Sequence, residues 1–484
     1  MAPDHSTENS ISEEVQQEKS RQKFSLKNYF GWVSYDIANT FYAYGILTLL
    51  ALTWVLVRGQ KLGLSYNQAN AMFQITLSVA SIFMALMLPI LGSISDVLNE
   101  RKRFVLLFTA ICLISTFLFS ITTNIILILI LFAISMIAYQ WAQVFYDAML
   151  QNVVPPGREA RLSSLAIALG YIGGGIVVVY ATFLASNNPD ARPSNGPITL
   201  GYLPNLILLI IAGYALFTIP LIFVKEFDWA SISAKTMGDT IEIDENPGII
   251  DIAKSSLTEL VDTFVNIFHN NTGMFFYIIS YFIIADFANL IVLINTTYLR
   301  DGLALSENQV LYTTMISGIS IILLSYGIGR ICDRWGAKRG FQFIGILWLT
   351  SLVMMILIEI ILPIGFVYVV AVFFGPAFSG VWISQRQMVL ELVPTDQEIG
   401  RYFGLTKFSG KISSALGPLF WALLFSFAFK QLHLTTPNSY RFALMGMGII
   451  LLLGFLLLHF KVPNRHEEFK QRKQELLDAY NSIS

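Results

Sequence analysis

The stretch Gly31-Trp-Val-Ser-Tyr35-Asp36-Ile-Ala-Asn39-Thr40-Phe-Tyr-Ala-Tyr44 places a carboxylate inside an apolar run that extends from about Tyr29 to Val57. At about 1.5 Å per helical residue, such a run crosses the ~30 Å of hydrocarbon in a bilayer. Counted from Tyr29, Asp36 lies roughly two helical turns into the run, and Asn39 follows on the same face at i+3. An ionised carboxylate turned toward lipid at that depth costs at least ~2.5 kcal/mol. Asp36 is therefore expected to face protein or water, and Tyr35, Asn39, Thr40 and Tyr44 widen the polar zone around it. A polar helix face inside a membrane ordinarily lines a path. The plainer alternative is a helix-end carboxylate held by the N-terminal dipole.

The whole composition agrees with a membrane setting. The 484 residues are 55% hydrophobic and 13% charged, with mean hydropathy +0.62, whereas a soluble domain carries roughly a quarter charged residues. The chain reads as an all-α polytopic membrane protein. A formal net charge of −1 gives no argument for nucleic acid. Cys112 and Cys332 lie far apart and suggest no disulfide framework. The histidines (His5, His269, His433, His459, His466) sit in tails, loops or near segment ends, which leaves no cluster for a metal or for His-based catalysis. No cofactor is expected. Residues 1–27 are polar, with no apolar core before a cleavage site, so they read as a tail and not a signal peptide. Asp4, Glu8, Glu13, Glu14 and Glu18 argue against a mitochondrial transit peptide.

Twelve spans are predicted, at 29–57, 66–95, 104–123, 125–152, 161–186, 200–224, 272–299, 307–332, 341–362, 365–392, 401–429 and 441–461. They divide the chain into a polar tail (1–27), a first six-helix bundle (28–225), a linker (226–270), a second bundle (271–463) and a second tail (464–484). Basic residues collect after spans two (Arg101, Lys102, Arg103), four (Arg158, Arg161), eight (Arg334, Lys338, Arg339) and twelve (Lys461, Arg465, Lys470, Arg472, Lys473). The positive-inside rule then puts both termini in the cytoplasm. Within the linker, Ile249, Ile252, Leu257, Leu260, Val261, Phe264 and Phe268 recur at helical spacing. This reads as an amphipathic helix on the inner membrane surface or a linker helix packed on the protein.

The two halves repeat. Leu62-Gly-Leu-Ser-Tyr-Asn-Gln68 returns as Leu303-Ala-Leu-Ser-Glu-Asn-Gln309, Gly92-Ser-Ile-Ser-Asp96 as Gly329-Arg-Ile-Cys-Asp333, and Val153-Val-Pro155 as Leu392-Val-Pro394. All three anchors share an offset of about 240 residues, and six spans per half make the repeat parallel. Asp286-Phe-Ala-Asn289 echoes Asp36-Ile-Ala-Asn39 but falls about nine residues out of that register, so Asp286 is a separate mid-membrane acid. The register does pair Asp147, in Gln143-Val-Phe-Tyr146-Asp147, with Arg386 of span ten. Spans four and ten then place an acid and a base at symmetry-related sites, where they are expected to form an inter-bundle ion pair or else to reach separately for the interface. Lys407 and Lys411 stand one turn apart in span eleven. Lys407 is expected at the interface and Lys411 toward the cavity or a carboxylate. Tyr42, Tyr44, Trp141, Tyr171, Phe287 and Trp382 are candidates for an aromatic wall, or plain packing.

Gly92 to Arg103 and Gly329 to Arg339 resemble the signature loop of the major facilitator superfamily, the second copy more fully, since the first has Val97 and Asn99 where the family prefers Arg and Gly. The resemblance implies the major-facilitator fold, twelve transmembrane helices in two pseudo-symmetric six-helix bundles. It makes Gly92, Asp96, Arg101, Gly329, Asp333, Arg334 and Lys338 candidates for gating contacts, in which each Asp accepts from a helix N-terminus or an Arg of the other bundle. Tyr35-Asp36-x-Ala38-Asn39 resembles the hallmark of the UMF1 family, whose fungal branch comprises autophagy-related vacuolar amino-acid effluxers. Arg161-Leu-Ser-Ser164, Ala168-Leu-Gly170-Tyr171-Ile-Gly173-Gly174, Arg386, Pro394, Phe403-Gly404-Leu405 and Gly417-Pro418 are similar to later motifs of that family. Ile37, Thr40 and Asp147 depart from its pattern. Gly170 and Gly174 give a small-residue face suited to close helix packing.

Together these readings imply a secondary active transporter working by alternating access on a small organic solute, with amino-acid efflux suggested by the fungal relatives. Substrate or coupling candidates are Asp36, Asn39, Tyr35, Asp286, Asn289, Asp147, Arg386, Gln143 and Lys411, with Asp36 and Asp286 as the carboxylates for a proton-coupled step. The expected partners are the solute, protons and the lipid bilayer, without nucleic acid, and the chain is expected to act as a monomer in the cell membrane, or in a vacuolar membrane if eukaryotic. A transporter-like sensor or scaffold without flux is the alternative. An intramembrane enzyme or an ATP-driven pump lacks its motifs: there is no His-Glu-x-x-His, no Gly-x-Ser-x-Gly and no phosphate-cradling loop.

Overall fold

A computed structural model describes residues 26–98, 101–154, 157–187, 203–226, 258, 261–263 and 265–483. Twelve helices in it are long and apolar enough to cross a membrane. They are Lys27–Lys61 (α1), Tyr66–Leu98 (α2), Arg101–Ile121 (α3), Ile125–Ala148 (α4), Glu159–Ser186 (α5) and Leu203–Ile222 (α6), then Thr272–Gly302 (α7), Glu307–Trp335 (α8), Ala337–Leu357 (α9), Phe366–Leu392 (α10), Ile399–Lys430 (α11) and Thr436–Lys461 (α12). A thirteenth helix, His466–Ile483 (α13), follows on the face that carries both ends of the described chain, called here the terminal face. The described part of the molecule is a bundle of twelve such helices in two six-helix halves, the architecture that the resemblance implies.

The first repeat anchor has a physical cause. Ser65 caps α2 by accepting from the Gln68 amide at 3.3 Å, while the Gln68 side chain accepts from the Ser65 amide at 2.9 Å. Ser306 and Gln309 repeat this reciprocal pair at the start of α8, at 3.4 and 2.9 Å. Each box is reached through a left-handed residue, Gly63 at φ +81° and Ala304 at φ +51°. Glycine bears that conformation freely and alanine at a cost, so the second copy keeps the turn without its easiest residue.

The spans fall near their expected limits. Spans nine and twelve differ: span twelve starts at Thr436, ahead of the expected 441, and span nine starts at Ala337 and stops at Leu357, with Glu359 beyond it in a turn at φ +64°. Gly336 (φ +93°) breaks the chain after α8, and the Ala337 amide donates to the buried Glu391 carboxylate at 3.1 Å, which fixes the earlier start. The amphipathic helix expected from Ile249 lies largely outside the described residues, and residues 1–25 of the first tail lie wholly outside them. The tail after 464 is largely helical: α13 docks on the terminal face through buried His466 and Lys473.

Large apolar side chains turn outward around the belt, Phe460 at 74% and Val179 and Phe223 at 70% exposure among them, as a hydrocarbon surround requires. Inside the first half, α1 packs on α5 and α6, and α3 on α4. Inside the second, α8 and α9 pack on α10, and α7 on α11 and α12. The halves meet through two symmetry-related helix pairs, α2 with α11 and α5 with α8, with α4 against α11 and α5 against α10 between them.

Candidate functional site

At the centre of the inter-half contact a buried ionic cluster joins α1, α4, α10 and α11. Asp147 is fully buried near the end of α4. Its Oδ1 accepts from Arg386 Nε at 2.9 Å and its Oδ2 pairs with Lys407 Nζ at 2.5 Å. Asp36 Oδ2 lies 3.8 Å from Arg386 Nη1, and the same Nη1 donates to Ser163 on α5 at 2.9 Å. Arg386 therefore reaches three helices of the opposite half from α10. Its guanidinium also stands 5.5 Å from the ring centres of both Trp32 and Tyr146. Those rings stack at 4.5 Å, tied by Trp32 Nε1–H to the Tyr146 carbonyl (3.3 Å) and by the Tyr146 hydroxyl to the Trp32 carbonyl (3.0 Å). The guanidinium is thus divided between two carboxylates and a hydroxyl with aromatic rings beside it, a spread of directed contacts that the single ammonium of Lys cannot reproduce.

Closer to the terminal face, the halves are latched twice by one device. Asp96, at the end of α2, accepts from the Gly400 and Arg401 amides at 2.6 and 2.8 Å, thereby capping the start of α11. Asp333, at the end of α8, accepts from the Ala160 and Arg161 amides at 3.0 and 3.2 Å, capping α5. Each cap crosses from one half to the other, and the two crossings are related by the repeat. A carboxylate on the first turn of a helix satisfies orphan N–H groups and meets the positive end of the dipole. Cations complete both sites: Arg101 lies 3.2 Å from Asp96, and Arg161 Nε 2.6 Å from Asp333. Close approach is what the glycines allow. A Cβ on Gly92 would strike the Gly400 carbonyl, and one on Gly329 would meet Ser164 and the Ala160 carbonyl. The first copy, poorer in sequence, performs the same contact as the second.

Other expected residues take different places. The Tyr35 hydroxyl bonds Thr109 at 2.6 Å within the first half, so Tyr35 is core and does not join Asp36 on the path-facing side. Asp286 accepts from the Gly417 amide at 2.9 Å, beside Pro418 within α11 of the same half, and no ion pair engages it among the described residues. Asn289 and Gln143 are half-buried with no hydrogen bond among the described residues, whereas Asn39 is buried with its amide unpaired there. Arg334 is exposed over its neighbour Trp335 at 5.5 Å, and Lys338 is half-buried. Neither bridges the halves among the described residues: Arg161 of α5 crosses to Asp333, Arg401 of α11 crosses to Asp96 at 3.6 Å, and Arg101 supports Asp96 from within the first half. The six aromatics form no common wall: Tyr42 bonds Ser135, Phe287 packs on Trp348, and Tyr44 lies against Tyr171. Gly170 and Gly174 face Asp36, Thr40 and Tyr44 of α1. Sequence reasoning missed Lys407 as a partner of Asp147, and also Ser163, Trp32 and Tyr146. Only Lys407 carried a signal, its i, i+4 relation to Lys411.

One turn beyond Lys407, Lys411 and Ser414 line a cavity of about 250 Å3 with Leu47, Phe73, Ser81 and Gln140 among others. Outside the membrane spans, burial pushes the Lys473 amine below its ordinary value, and the Asp396 carboxylate at 2.8 Å opposes the shift.

Comparison with known proteins agrees with this architecture. Residues 60–468 match the family described as "Vacuole effluxer Atg22 like". An uncharacterised MFS-type transporter of Bacillus subtilis, YxiO, is 25% identical over 451 residues, covering 92% of this chain and 97% of its own. An uncharacterised protein of Aquifex aeolicus is 25% identical over 374 residues, 76% of this chain and 81% of its own. Among solved structures, the proton:xylose symporter XylE bound to 6-bromo-6-deoxy-D-glucose superposes with TM-score 0.63 at 16% identity, covering 91% of this chain and 95% of XylE. The human organic anion transporter MFSD10 superposes with TM-score 0.55 at 13% identity, over 90% and 98% of the two chains. The chain belongs to the Atg22-like family of major facilitator superfamily transporters.

Proposed function

We propose that this protein carries a small organic solute by alternating access, with its terminal face closed in the arrangement described above and both termini in the cytoplasm. The observation that carries the reading is the ionic cluster Asp147–Arg386–Lys407 with Asp36 beside it, because its bonds cross between the halves. A buried charge set that only stabilised the fold would be expected within one half, and hydrophobic replacement would serve it equally well. Crossing pairs break when the halves part, so the cluster and the two helix caps bias a two-state equilibrium.

Amino acids are the favoured cargo, on the resemblance of Tyr35-Asp36-x-Ala38-Asn39 to the hallmark of a family whose fungal branch comprises vacuolar amino-acid effluxers, and the cell membrane is the favoured location given the short loops. Asp36 is the favoured proton carrier. It is the carboxylate of the cluster that is held least closely, 3.8 Å from its cation, and it is buried at 8% exposure. Asp286 is the weaker candidate, being occupied by the Gly417 amide within one half. The test is counterflow of labelled amino acids in proteoliposomes, with and without an imposed pH gradient. Asp36→Asn is expected to keep exchange but lose gradient-driven accumulation. Accumulation at the wild-type rate by that variant removes the proton role, and absence of any exchange across a broad solute panel leaves the sensor reading in its place.

A further inference from the structure

The cavity beside the ionic cluster holds a cation that nothing in the described protein neutralises. Lys411 is half-buried on α11, in a span that runs through the hydrocarbon, and its ammonium has no ion pair or hydrogen bond among the described residues. Its neighbour Lys407, one turn nearer the terminal face, is engaged by Asp147. Asp36 and Asp147 pair with Arg386 and Lys407, and Lys411 adds a third cation beside them, so two carboxylates stand against three cations. Asp286 does not redress the balance here: it is turned to the Gly417 amide within the second half and does not line the cavity. An unpaired ammonium at membrane depth is costly and is retained where something else supplies the counter-charge.

The rest of the cavity says what that something is. Its walls come from both halves, with α1, α2 and α4 opposite α11. Gln140 presents an amide that makes no hydrogen bond among the described residues, and Ser81 adds a hydroxyl, whereas the Ser414 hydroxyl donates to the Lys411 carbonyl at 2.8 Å; Phe73, Phe132 and Met136 supply an apolar side. No lining residue is acidic. The volume of about 250 Å3 holds several waters, at ~30 Å3 each, or one compact solute. We infer that Lys411 receives the carboxylate of the transported solute, whose apolar body lies against Phe73 and Phe132, and that the solute class is a compact organic acid, with or without an amino group. A single cation with amide and hydroxyl donors suits a carboxylate, and the lack of an acid in the walls denies a cationic solute its partner. The inference rests on the transport reading and names the group by which the cargo is held.

Binding to the purified full-length protein tests it without flux. Three probes share an isobutyl body: L-leucine, 4-methylpentanoate and leucinol. L-phenylalanine, 3-phenylpropionate and phenylalaninol form a matching benzyl series. The acids of at least one series are expected to raise the melting point of the wild type while the amino alcohols do not. Lys411→Met is expected to weaken the acids by tenfold or more, and Lys411→Arg to keep them within a few-fold. Preference for the amino acid over its deaminated analogue identifies amino acids as the source, and equal binding identifies plain carboxylates. Amino alcohols that bind as well as acids, failure of every acid to bind, or wild-type affinity in a folded Lys411→Met protein overturns the inference. The wild-type comparison decides the class even if Lys411→Met does not purify as a single species. Carboxylate binding without counterflow would sink transport alone, whereas flux of a neutral solute indifferent to Lys411→Met would sink this inference alone.

Discussion

Arg386 holds the centre of the molecule by four attachments: Asp147, Asp36, Ser163 and the stacked pair of Trp32 and Tyr146. Replacing it by Gln leaves Asp147 with one cation and Asp36 with none at this site. Leaving buried charges uncompensated costs on the order of 3 kcal/mol, and Arg386→Gln is expected to show this as a lower melting temperature. Asp147→Asn combined with Arg386→Gln should be milder than the sum of the singles by at least ~1 kcal/mol, because the second change removes the charge stranded by the first. Strictly additive losses in a double-mutant cycle would mean that the two side chains do not couple. The pairing was legible before any coordinates, since a shared register relates positions 147 and 386. Lys407 was not, because a helical sequence fixes which residues share a face but not which way that face turns. Tyr35 misled for the same reason: beside Asp36 in sequence, it points about 100° away around the helix, toward Thr109.

At the scale of single elements, the twelve spans follow from hydropathy, since lipid admits only helices whose backbone bonds are internally satisfied. Their ends follow from capping chemistry, as at Ser65 and Ser306. The fate of α13 could not be read in this way, because it is polar and its docking depends on a few side chains. Lys473 pairs with Asp396 at 2.8 Å and donates to Gln151 at 3.2 Å, so it joins the end of the second half's α10–α11 link to the first half. His466 meets Glu391 at 2.9 Å, and Arg472 donates to the Val393 and Pro394 carbonyls at 2.7 and 2.9 Å. The helix is thus a strap over the closed terminal face. Lys473→Met is expected to loosen that face by about 1–3 kcal/mol, the scale of a buried charge left with a weaker partner. The measurement is maleimide labelling of Ser164→Cys, a buried position facing Gly329, with Cys112 and Cys332 replaced by serine. Labelling several-fold faster than in the parent is the expected result. An unchanged rate would make α13 an appendage. Asp333→Asn in the same background should also speed labelling, since the neutral side chain caps α5 more weakly and no longer pairs with Arg161.

At the scale of the whole molecule, the two caps make closure a symmetric event. The first half holds the second through Asp96 of α2, which caps α11, and the second holds the first through Asp333 of α8, which caps α5. A two-bundle machine with such reciprocal latches should respond alike to damage at either one, even though the two loops differ in sequence. Gly92 and Gly329 provide the sharpest trial, because both would drive a side chain into the backbone of the opposite half only while the terminal face is closed. Overpacking of this kind costs about 2 kcal/mol, roughly thirtyfold in the population of the closed arrangement. Gly92→Val and Gly329→Val are therefore each expected to shift the protein toward a terminal-face-open state while leaving each half folded. Spin labels at the exposed Lys225 of the first half and Lys461 of the second would report it as a longer distance in both variants. If only one variant lengthens the distance, the latches are not equivalent and closure is set by one helix pair. If neither does, the glycines serve packing alone and the halves do not part at this face.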